Sequence, residues 1–197
     1  MLLKQYSLLS VLITLFLFTI LISEARLISS HPFSTKLSAK AMALKNEKLT
    51  HLHFYYHNLL AGPNVTALHL NGPLDFNHPA GLFGRLTMAD NPLTLDPELN
   101  STTVGRAQGL YGVASRTDAT FMELFNFVFK ADGEYRGSTV TVLGRNHILA
   151  AGIREMPVVG GTGVFGFARG KVHVKTHSFN TTTGNTVVKC DVYVFHY

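Results

Sequence analysis

Beyond residue 48 the chain alternates between hydrophobic and polar positions, and short turn segments separate the alternating runs. In the first run Leu52, Phe54 and Tyr56 fall on one face, because successive side chains of a strand point to opposite sides of a sheet. The same period of two recurs in three later runs, at 121–130, 138–143 and 186–197. Runs of this kind, rich in β-branched and aromatic residues, are typical of half-buried β-strands.

Turn sequences break these runs at regular intervals, for example at Asn71-Gly72-Pro73 and Thr183-Gly184-Asn185. Turns of this composition suit antiparallel neighbours. The pattern gives about eight strands and no amphipathic helix, so we expect an all-β domain. A closed eight-stranded antiparallel β-barrel removes exposed edges and leaves room for one small ligand, and a β-sandwich is the alternative.

The first 48 residues do not follow this pattern. Residues 1–25 are typical of a cleaved signal peptide, with Lys4 ahead of an apolar segment, 8–22, and small residues at the end. Residues 26–48 are rich in Ser, Lys and Ala and predict a flexible N-terminal lead. The remainder, 49–197, is expected to form one secreted domain with no membrane contact after cleavage.

A glycine-rich segment follows Val158-Val159, which could end a strand. Gly161, Gly163 and Gly166 satisfy the spacing of a dinucleotide-binding loop, but such a loop needs a helix directly after it. Residues 172–177 instead alternate like a strand. The glycines therefore predict a sharp β-corner, where positive φ or close backbone approach excludes a Cβ atom.

Charge and composition exclude further classes. The formal net charge is +5, and the cations are scattered, which does not fit a nucleic acid surface. His51, His53 and His57 could lie on one strand face, but we expect no supporting carboxylate near them, and hence no metal site and no cofactor. Cys190 is the single cysteine, which excludes an intrachain disulfide. We interpret it as a small buried hydrophobe, with an intermolecular bridge or a reactive thiol as alternatives.

Three Asn-x-Ser/Thr sequons, at Asn64, Asn100 and Asn180, are candidate glycosylation sites. Each lies in a polar or Pro/Gly-bearing break between predicted strands, where a glycan can be accommodated. Behind a signal peptide, this placement predicts that at least one of them carries a glycan.

The run 104–111 bears on a ligand cavity. Gly105, Ala107 and Gly109 share a face with Tyr111, so the inside of this strand could be bare except for one phenol. In the alternative interpretation the small residues relieve packing against a neighbouring strand, and Tyr111 is a core aromatic.

Many motifs of the domain occur in the order found in the plant dirigent proteins, and this chain resembles that family over 49–197. They are Leu52-His53-Phe54-Tyr55-Tyr56-His57, Pro92-Leu93-Thr94, Val104-Gly105-Arg106-Ala107-Gln108-Gly109-Leu110-Tyr111, Asn126-Phe127-Val128-Phe129, Gly137-Ser138-Thr139, Leu143-Gly144-Arg145-Asn146, Arg154-Glu155-Met156-Pro157-Val158-Val159-Gly160-Gly161-Thr162-Gly163, Phe167-Ala168-Arg169-Gly170 and Val192-Tyr193-Val194-Phe195-His196-Tyr197. So many motifs in order make the resemblance specific.

The resemblance implies an eight-stranded barrel of the allene oxide cyclase-like type, similar in shape to a lipocalin, assembled as a homotrimer and secreted to the apoplast. It also implies a protein without an oxidising centre. A separate laccase or peroxidase would make phenoxy radicals from a monolignol such as coniferyl alcohol, and the barrel would hold them so that coupling gives one lignan stereoisomer.

The resemblance points to five site residues. Tyr111 and Arg154 are the candidate catalytic groups, which would hydrogen-bond to, stabilise or protonate a quinone methide intermediate. Asn58, Asp90 and Arg169 are candidate substrate-binding residues.

Two positions depart from the family pattern. Asn58 stands where the family usually has Asp, and Gly144 lies in a segment that carries an acidic residue in the lignan-coupling branch. Two other functions therefore stay open. One is a lyase or dehydratase acting through a quinone methide, as in the pterocarpan-forming members, and the other is a non-catalytic phenolic-binding or lignin-scaffold protein.

Overall fold

The computed structural model describes residues 13–16, 33–71, 82–130 and 132–197. The chain divides into two compact units, residues 1–43 and 44–197. In the first unit, 13–16 form a helical turn and 39–43 a second turn. The predicted signal peptide and the start of the predicted lead lie otherwise outside the described residues, so both stay predictions. Within the described ranges, no helix is both long and apolar enough to cross a membrane.

The second unit is built from antiparallel strands. They are β1 (Lys48–Asn58), β2 (Ala67–His69), β3 (Leu86–Thr94), β4 (Thr103–Val113), β5 (Thr120–Phe129), β6 (Thr139–His147), β7 (Arg154–Thr162), β8 (Arg169–Phe179) and β9 (Thr186–His196). Neighbours pair in the order β1-β9-β8-β7-β6-β5-β4-β3, and Tyr55 and Tyr56 of β1 pair with Thr94 and Leu93 of β3. This last pairing closes the sheet, so the predicted eight-stranded antiparallel barrel is confirmed. The short β2 adds to β3.

The alternation read from the sequence sets the two faces of the barrel wall. On β5, Phe125, Phe127 and Phe129 are buried, whereas Met122 and Leu124 are exposed. On β1 the fully buried ring of Phe54 packs edge-on against Phe127, with ring centroids 5.1 Å apart. The inward residues of all eight strands therefore form one core inside the tube.

One end of the lumen is filled by aromatic rings, and we call it the closed end. After β7 the chain makes a single 3₁₀ turn, Gly163–Phe165, which places the fully buried ring of Phe165 across this end. Its centroid lies 5.6 Å from that of Phe129, 5.1 Å from that of Tyr135 and 5.0 Å from that of His196. Gly163 has φ +63° and Phe167 has φ +60°, so the predicted β-corner is confirmed at this turn.

The glycines of β4 do not enlarge the lumen. A Cβ on Gly105 would lie 2.3 Å from the carbonyl oxygen of Val128, and one on Gly109 would lie 2.0 Å from that of Leu124. Both glycines therefore allow the backbone of β5 to approach closely, as in the alternative interpretation of this strand. Tyr111 lies farther along β4, where its side chain reaches open space.

Candidate functional site

The opposite end of the lumen holds an open cavity of about 550 Å³, and we call it the open end. This volume is in the range of pockets that bind small organic ligands. Aromatic and aliphatic side chains form much of the wall, among them Phe121, Val113, Val188 and Leu60. Polar residues line the same space: Asn58, His69, Arg85, Thr87, Tyr111, Glu123, Asn146, Arg154, Lys175, Thr176 and Thr186.

Tyr111 and Asn58 form a buried phenol–amide pair in this wall. The phenol oxygen of Tyr111 lies 3.1 Å from Nδ2 and 3.3 Å from Oδ1 of Asn58. Asn91 of β3 donates through Nδ2 to Asn58 Oδ1 at 3.1 Å, and Thr66 donates to Asn91 Oδ1 at 2.5 Å. The chain of hydrogen bonds fixes the position of the Tyr111 hydroxyl at the cavity wall.

Burial keeps the phenols at this end in their neutral form. Loss of water contact raises the pKa of Tyr111, and it raises the pKa of Tyr56 well above the usual value. The Tyr111 hydroxyl is therefore a hydrogen-bond donor and acceptor at neutral pH, and it is not a base. Asn58 positions this hydroxyl through its side-chain amide.

Arg154 begins β7 and lies within the cavity wall with only 8% of its surface exposed. Its Nη1 donates to the carbonyl oxygen of Ile148 at 3.3 Å and to Thr176 Oγ1 at 3.1 Å. Burial lowers the pKa of Arg154, while the nearby carboxyl of Glu123 raises it. Its Nε has no hydrogen-bond partner within the described part of the chain. A guanidinium stays charged at neutral pH, so Arg154 provides a partly desolvated cation inside the cavity.

Glu123 was not among the candidate residues named from the sequence, but it belongs to the site. It lies on the inner face of β5, between Phe121 and Phe125, and it lines the cavity. Asn146 Nδ2 of β6 donates to Glu123 Oε1 at 2.7 Å. Burial, partly opposed by Asn146 and then Arg154, raises the pKa of Glu123 to about 7. An acid in the middle of a phenylalanine face was the visible signal.

Asp90 and Arg169 do not join this group. Asp90 points out of the barrel, where Arg106 Nε lies 2.5 Å from its Oδ1. Arg169 is exposed as well, pairs with Glu47 and lies over the ring of Phe195 at 5.1 Å. Of the five candidate residues, the structure therefore brings Tyr111, Arg154 and Asn58 to the cavity and leaves these two on the outer surface.

The histidines of β1 have a carboxylate partner that the sequence did not reveal. His51 Nε2 and His53 Nδ1 lie 3.0 and 2.9 Å from Asp191 Oδ1, which comes from β9. His57 is buried and bonds to Thr94 Oγ1 at 2.7 Å. The expectation that no carboxylate lies near was therefore wrong. Among the described residues, no group of three or more His, Cys, Asp or Glu side chains is arranged to hold a metal ion.

Cys190 and the sequons occupy the kinds of position that the sequence suggested. The thiol of Cys190 is buried in the core, where desolvation raises its pKa, as fits a packing role. Asn64, Asn100 and Asn180 are exposed in the loops that follow β1, β3 and β8. Asn180 Oδ1 accepts bonds from the backbone amides of Thr182 and Thr183, both at 3.0 Å.

Comparison with known proteins gives a consistent result. The family model described as "Dirigent-like protein" matches residues 49–195. Dirigent protein 21 of Arabidopsis thaliana is 42% identical over 186 residues, which covers 94% of this chain and 97% of that protein. Pterocarpan synthase 1 of Glycyrrhiza echinata is 41% identical over 164 residues, covering 82% and 85% of the two chains.

A solved structure has the same fold. The pterocarpan synthase dirigent protein GePTS1 superposes with a TM-score of 0.72 and 41% sequence identity, covering 78% of this chain and 87% of that chain. The family match, at residues 49–195, includes Tyr111, Arg154 and Glu123. The resemblance seen in the sequence motifs is thereby confirmed, and this chain belongs to the dirigent family.

Proposed function

We propose that this chain binds a flat phenolic substrate in the cavity and acts as a lyase. In this proposal it removes water from the substrate to give a quinone methide and directs the ring closure that follows. The main support for this proposal is that one largely apolar cavity contains both a neutral phenol–amide pair, Tyr111 and Asn58, and a partly desolvated cation, Arg154. The similarity to pterocarpan synthases supports the dehydrating route.

The two polar groups suit the two states of such a substrate. Tyr111 and Asn58 can hydrogen-bond a phenol oxygen and so fix one end of the flat ring system. Arg154 can stabilise the negative charge that grows on a substrate oxygen when a phenol loses its proton. Aromatic walls limit the guest to one orientation, and orientation alone can contribute several kcal/mol to a ring closure.

The second candidate is stereoselective coupling of monolignol radicals, and similarity to Dirigent protein 21 favours it. A separate laccase or peroxidase would supply the radicals, and the cavity would present one face of each. Arg154 and Tyr111 would then act on the quinone methide that coupling produces. A binding or lignin-scaffold role without catalysis is the remaining possibility for the same cavity.

We also propose that the chain is secreted to the apoplast, glycosylated and trimeric. An apolar stripe supports assembly, because Met88, Leu110, Leu124 and Leu143 are successive cross-strand neighbours on the outside of β3 to β6. Three of these four side chains are exposed by 37% to 46%. A second copy of the chain would cover the stripe, and Leu124→Lys should lower the mass measured by light scattering from trimer to monomer.

Chiral chromatography separates the candidate functions. The purified chain is incubated with an isoflavanol and no oxidant, and separately with coniferyl alcohol and a one-electron oxidant. We expect one pterocarpan enantiomer from the first mixture. An optically active lignan from the second mixture alone would favour radical coupling, and racemic or absent products in both would leave a binding role. Arg154→Ala should reduce product in the productive mixture by about 100-fold, whereas the matched surface variant Arg169→Ala should not.

A further inference from the structure

Glu123 is the one carboxylate among the described residues that line the cavity. It projects from the inner face of β5, where Phe121, Phe125 and Phe127 share its face. A charged residue in such a row costs free energy, since burial penalises its ionised form. A group of this kind in a cavity that binds a ligand is a candidate for proton transfer.

The partner of Glu123 can serve both forms of the carboxyl group. Asn146 is only 5% exposed, and its Nδ2 donates to Glu123 Oε1 at 2.7 Å. Its Oδ1 is buried and has no partner within the described residues. An amide offers a donor to an ionised carboxylate and an acceptor to a protonated one, so rotation of the Asn146 amide keeps Glu123 bonded in either state.

Four titratable groups from four different strands interact electrostatically with this carboxyl: Tyr56 of β1, Tyr111 of β4, Arg154 of β7 and Cys190 of β9. His69 of β2, Arg85 and Lys175 of β8 also line the cavity. The two phenols and the thiol are neutral at pH 7, because burial raises each pKa. Arg154 favours the ionised carboxylate, but desolvation outweighs it and leaves the pKa of Glu123 at about 7. Both protonation states are therefore populated near neutral pH, which suits a general acid that must be reloaded.

The register of β5 and β6 sets which strand supplies the carboxyl at this level of the cavity. Glu123 pairs directly across the sheet with Gly144 of β6. A Cβ on Gly144 would already lie 3.0 Å from Met156 and Pro157, so the space on β6 is occupied. The carboxyl that faces the cavity at this level thus comes from β5.

We propose that Glu123 is the catalytic acid of this cavity, which protonates the departing hydroxyl of the substrate, and that Asn146 positions it. The proposal rests on the lyase function proposed above. The proton moves from the carboxyl group to the hydroxyl oxygen, the carbon–oxygen bond breaks with its electron pair on oxygen, and water leaves. The phenol of the substrate gives its proton to solvent, and its electron pair forms the quinone methide.

Ring closure returns the acid to its starting state. A second phenol hydroxyl of the substrate attacks the quinone methide carbon and gives its proton to the Glu123 carboxylate. The quinone methide oxygen takes a proton from solvent and becomes a phenol again. The net change is loss of one water molecule, with no oxidant or reductant.

The first test replaces only the acid. Glu123→Gln keeps the size of the side chain and a hydrogen bond to Asn146, and it should lower kcat for the isoflavanol by about 100-fold or more. The dissociation constant of the pterocarpan product, measured by fluorescence titration, should change less than about threefold, which confirms a folded site. Glu98→Gln, at an exposed acid in the loop after β3, is the matched control and should have wild-type kcat.

A second variant moves the carboxyl by one strand. The double variant Glu123→Gln/Asn146→Asp exchanges acid and amide within one hydrogen-bonded pair, so net charge and pairing are retained. The wild-type kcat should fall as pH rises through about 7, because the protonated form is lost. Glu123→Gln should lose that fall, and the double variant should regain it with part of the activity. A Glu123→Gln protein with wild-type kcat and the wild-type pH profile would overturn the assignment.

Binding separates this proposal from the function on which it rests. If the wild-type protein converts no isoflavanol, the lyase proposal fails, and the affinity for coniferyl alcohol without oxidant then decides on Glu123. A carboxyl that meets the hydroxyl of the ligand should make this affinity depend on pH between 5 and 9 in the wild type and not in Glu123→Gln. An affinity that is independent of pH in both proteins would reject the role of Glu123 as well.

Discussion

The two ends of the barrel lumen are built from the same strands but contain different side chains. At the closed end the rings of Phe54, Phe127, Phe129 and Phe165 fill the tube, with centroids of neighbouring rings 5.1 to 6.4 Å apart. At the open end β5 contributes an acid and the other strands contribute a phenol, amides and a guanidinium around a cavity of about 550 Å³. The packed rings that stabilise the barrel and the polar groups of the candidate site therefore lie at opposite ends of one core.

The two ends differ in the interactions that their buried side chains require. Aromatic rings at the closed end need only contact, and the 3₁₀ turn with Phe165 completes it. Polar groups at the open end satisfy one another in pairs, Asn58 with Tyr111 and Asn146 with Glu123, yet Arg154 Nε and Asn146 Oδ1 lack partners within the described residues. We therefore expect substitutions at the closed end to change stability and substitutions at the open end to change pH dependence and product.

The largest effect should come from emptying the closed end. Phe165→Ala removes a fully buried ring and leaves a cavity between Phe129 and Tyr135, so the free energy of unfolding should fall by about 3–5 kcal/mol. Urea unfolding followed by far-ultraviolet circular dichroism measures this free energy. Phe179→Ala, at an exposed ring by the open end, is the matched control, and equal losses in both variants would remove the contrast between the ends.

The next effect concerns pH and should be confined to the open end. The folded protein holds a proton on Glu123 between about pH 4.5 and 7, whereas the unfolded chain releases it, so stability falls as pH rises through this window. A pKa of about 7 instead of 4.5 corresponds to about 3 kcal/mol. The free energy of unfolding of Glu123→Gln minus that of the wild type should therefore be larger at pH 8 than at pH 4.5 by about 3 kcal/mol. Parallel stability curves for the two proteins across this range would contradict the shifted pKa.

A smaller effect is expected at the phenol–amide pair. Tyr111→Phe removes the hydroxyl that bonds Asn58, while Asn91 still donates to the amide, so the loss of stability should be about 1 kcal/mol. The enantiomeric excess of the product should fall, because the substrate loses one fixed contact. Thermal unfolding and chiral chromatography measure the two quantities, and an unchanged enantiomeric excess would exclude Tyr111 from substrate positioning.

The smallest effect should be on the outer wall. Arg169→Ala breaks an exposed ion pair with Glu47 and a contact over Phe195, and solvent screening makes the contribution of such exposed pairs to stability small. Kinetics and product hand should stay at wild-type values. A change in enantiomeric excess would mean that this surface communicates with the cavity after all.

The fold was predictable from the sequence because the strands of a barrel repeat a local rule. Alternation in β1 and β5 identified the inward residues, including Phe54 and Phe127, without knowledge of any long-range pairing. The corner at Gly163 was predictable for the same reason, since the residues after the glycines alternate like a strand. The small residues Gly105 and Gly109 were ambiguous, because sequence does not tell how close the next strand lies.

The site was only partly predictable. It depends on which of two adjacent residues of a strand faces inward, and on which residues of neighbouring strands lie side by side. Asp90 and Asn91 are both polar and adjacent, so the sequence alone did not decide which one faces inward, and Asn91 does. Arg169 follows a turn with positive φ at Phe167, where the alternation restarts. Glu123 carried a readable signal, but its bond to Asn146 joins residues 23 positions apart, and no local pattern reveals that contact.

The narrow gap between β4 and β5 bears on how this protein can diverge over generations. A methyl group on Gly109 would collide with the carbonyl oxygen of Leu124, so the two strands would have to separate there. Glu123 directly precedes Leu124 in the chain, so its carboxyl would be displaced with the backbone. A change of substrate can therefore begin with a substitution at Gly109, which does not line the cavity. Such a substitution would alter the spacing of β4 and β5 without replacing any polar group of the site.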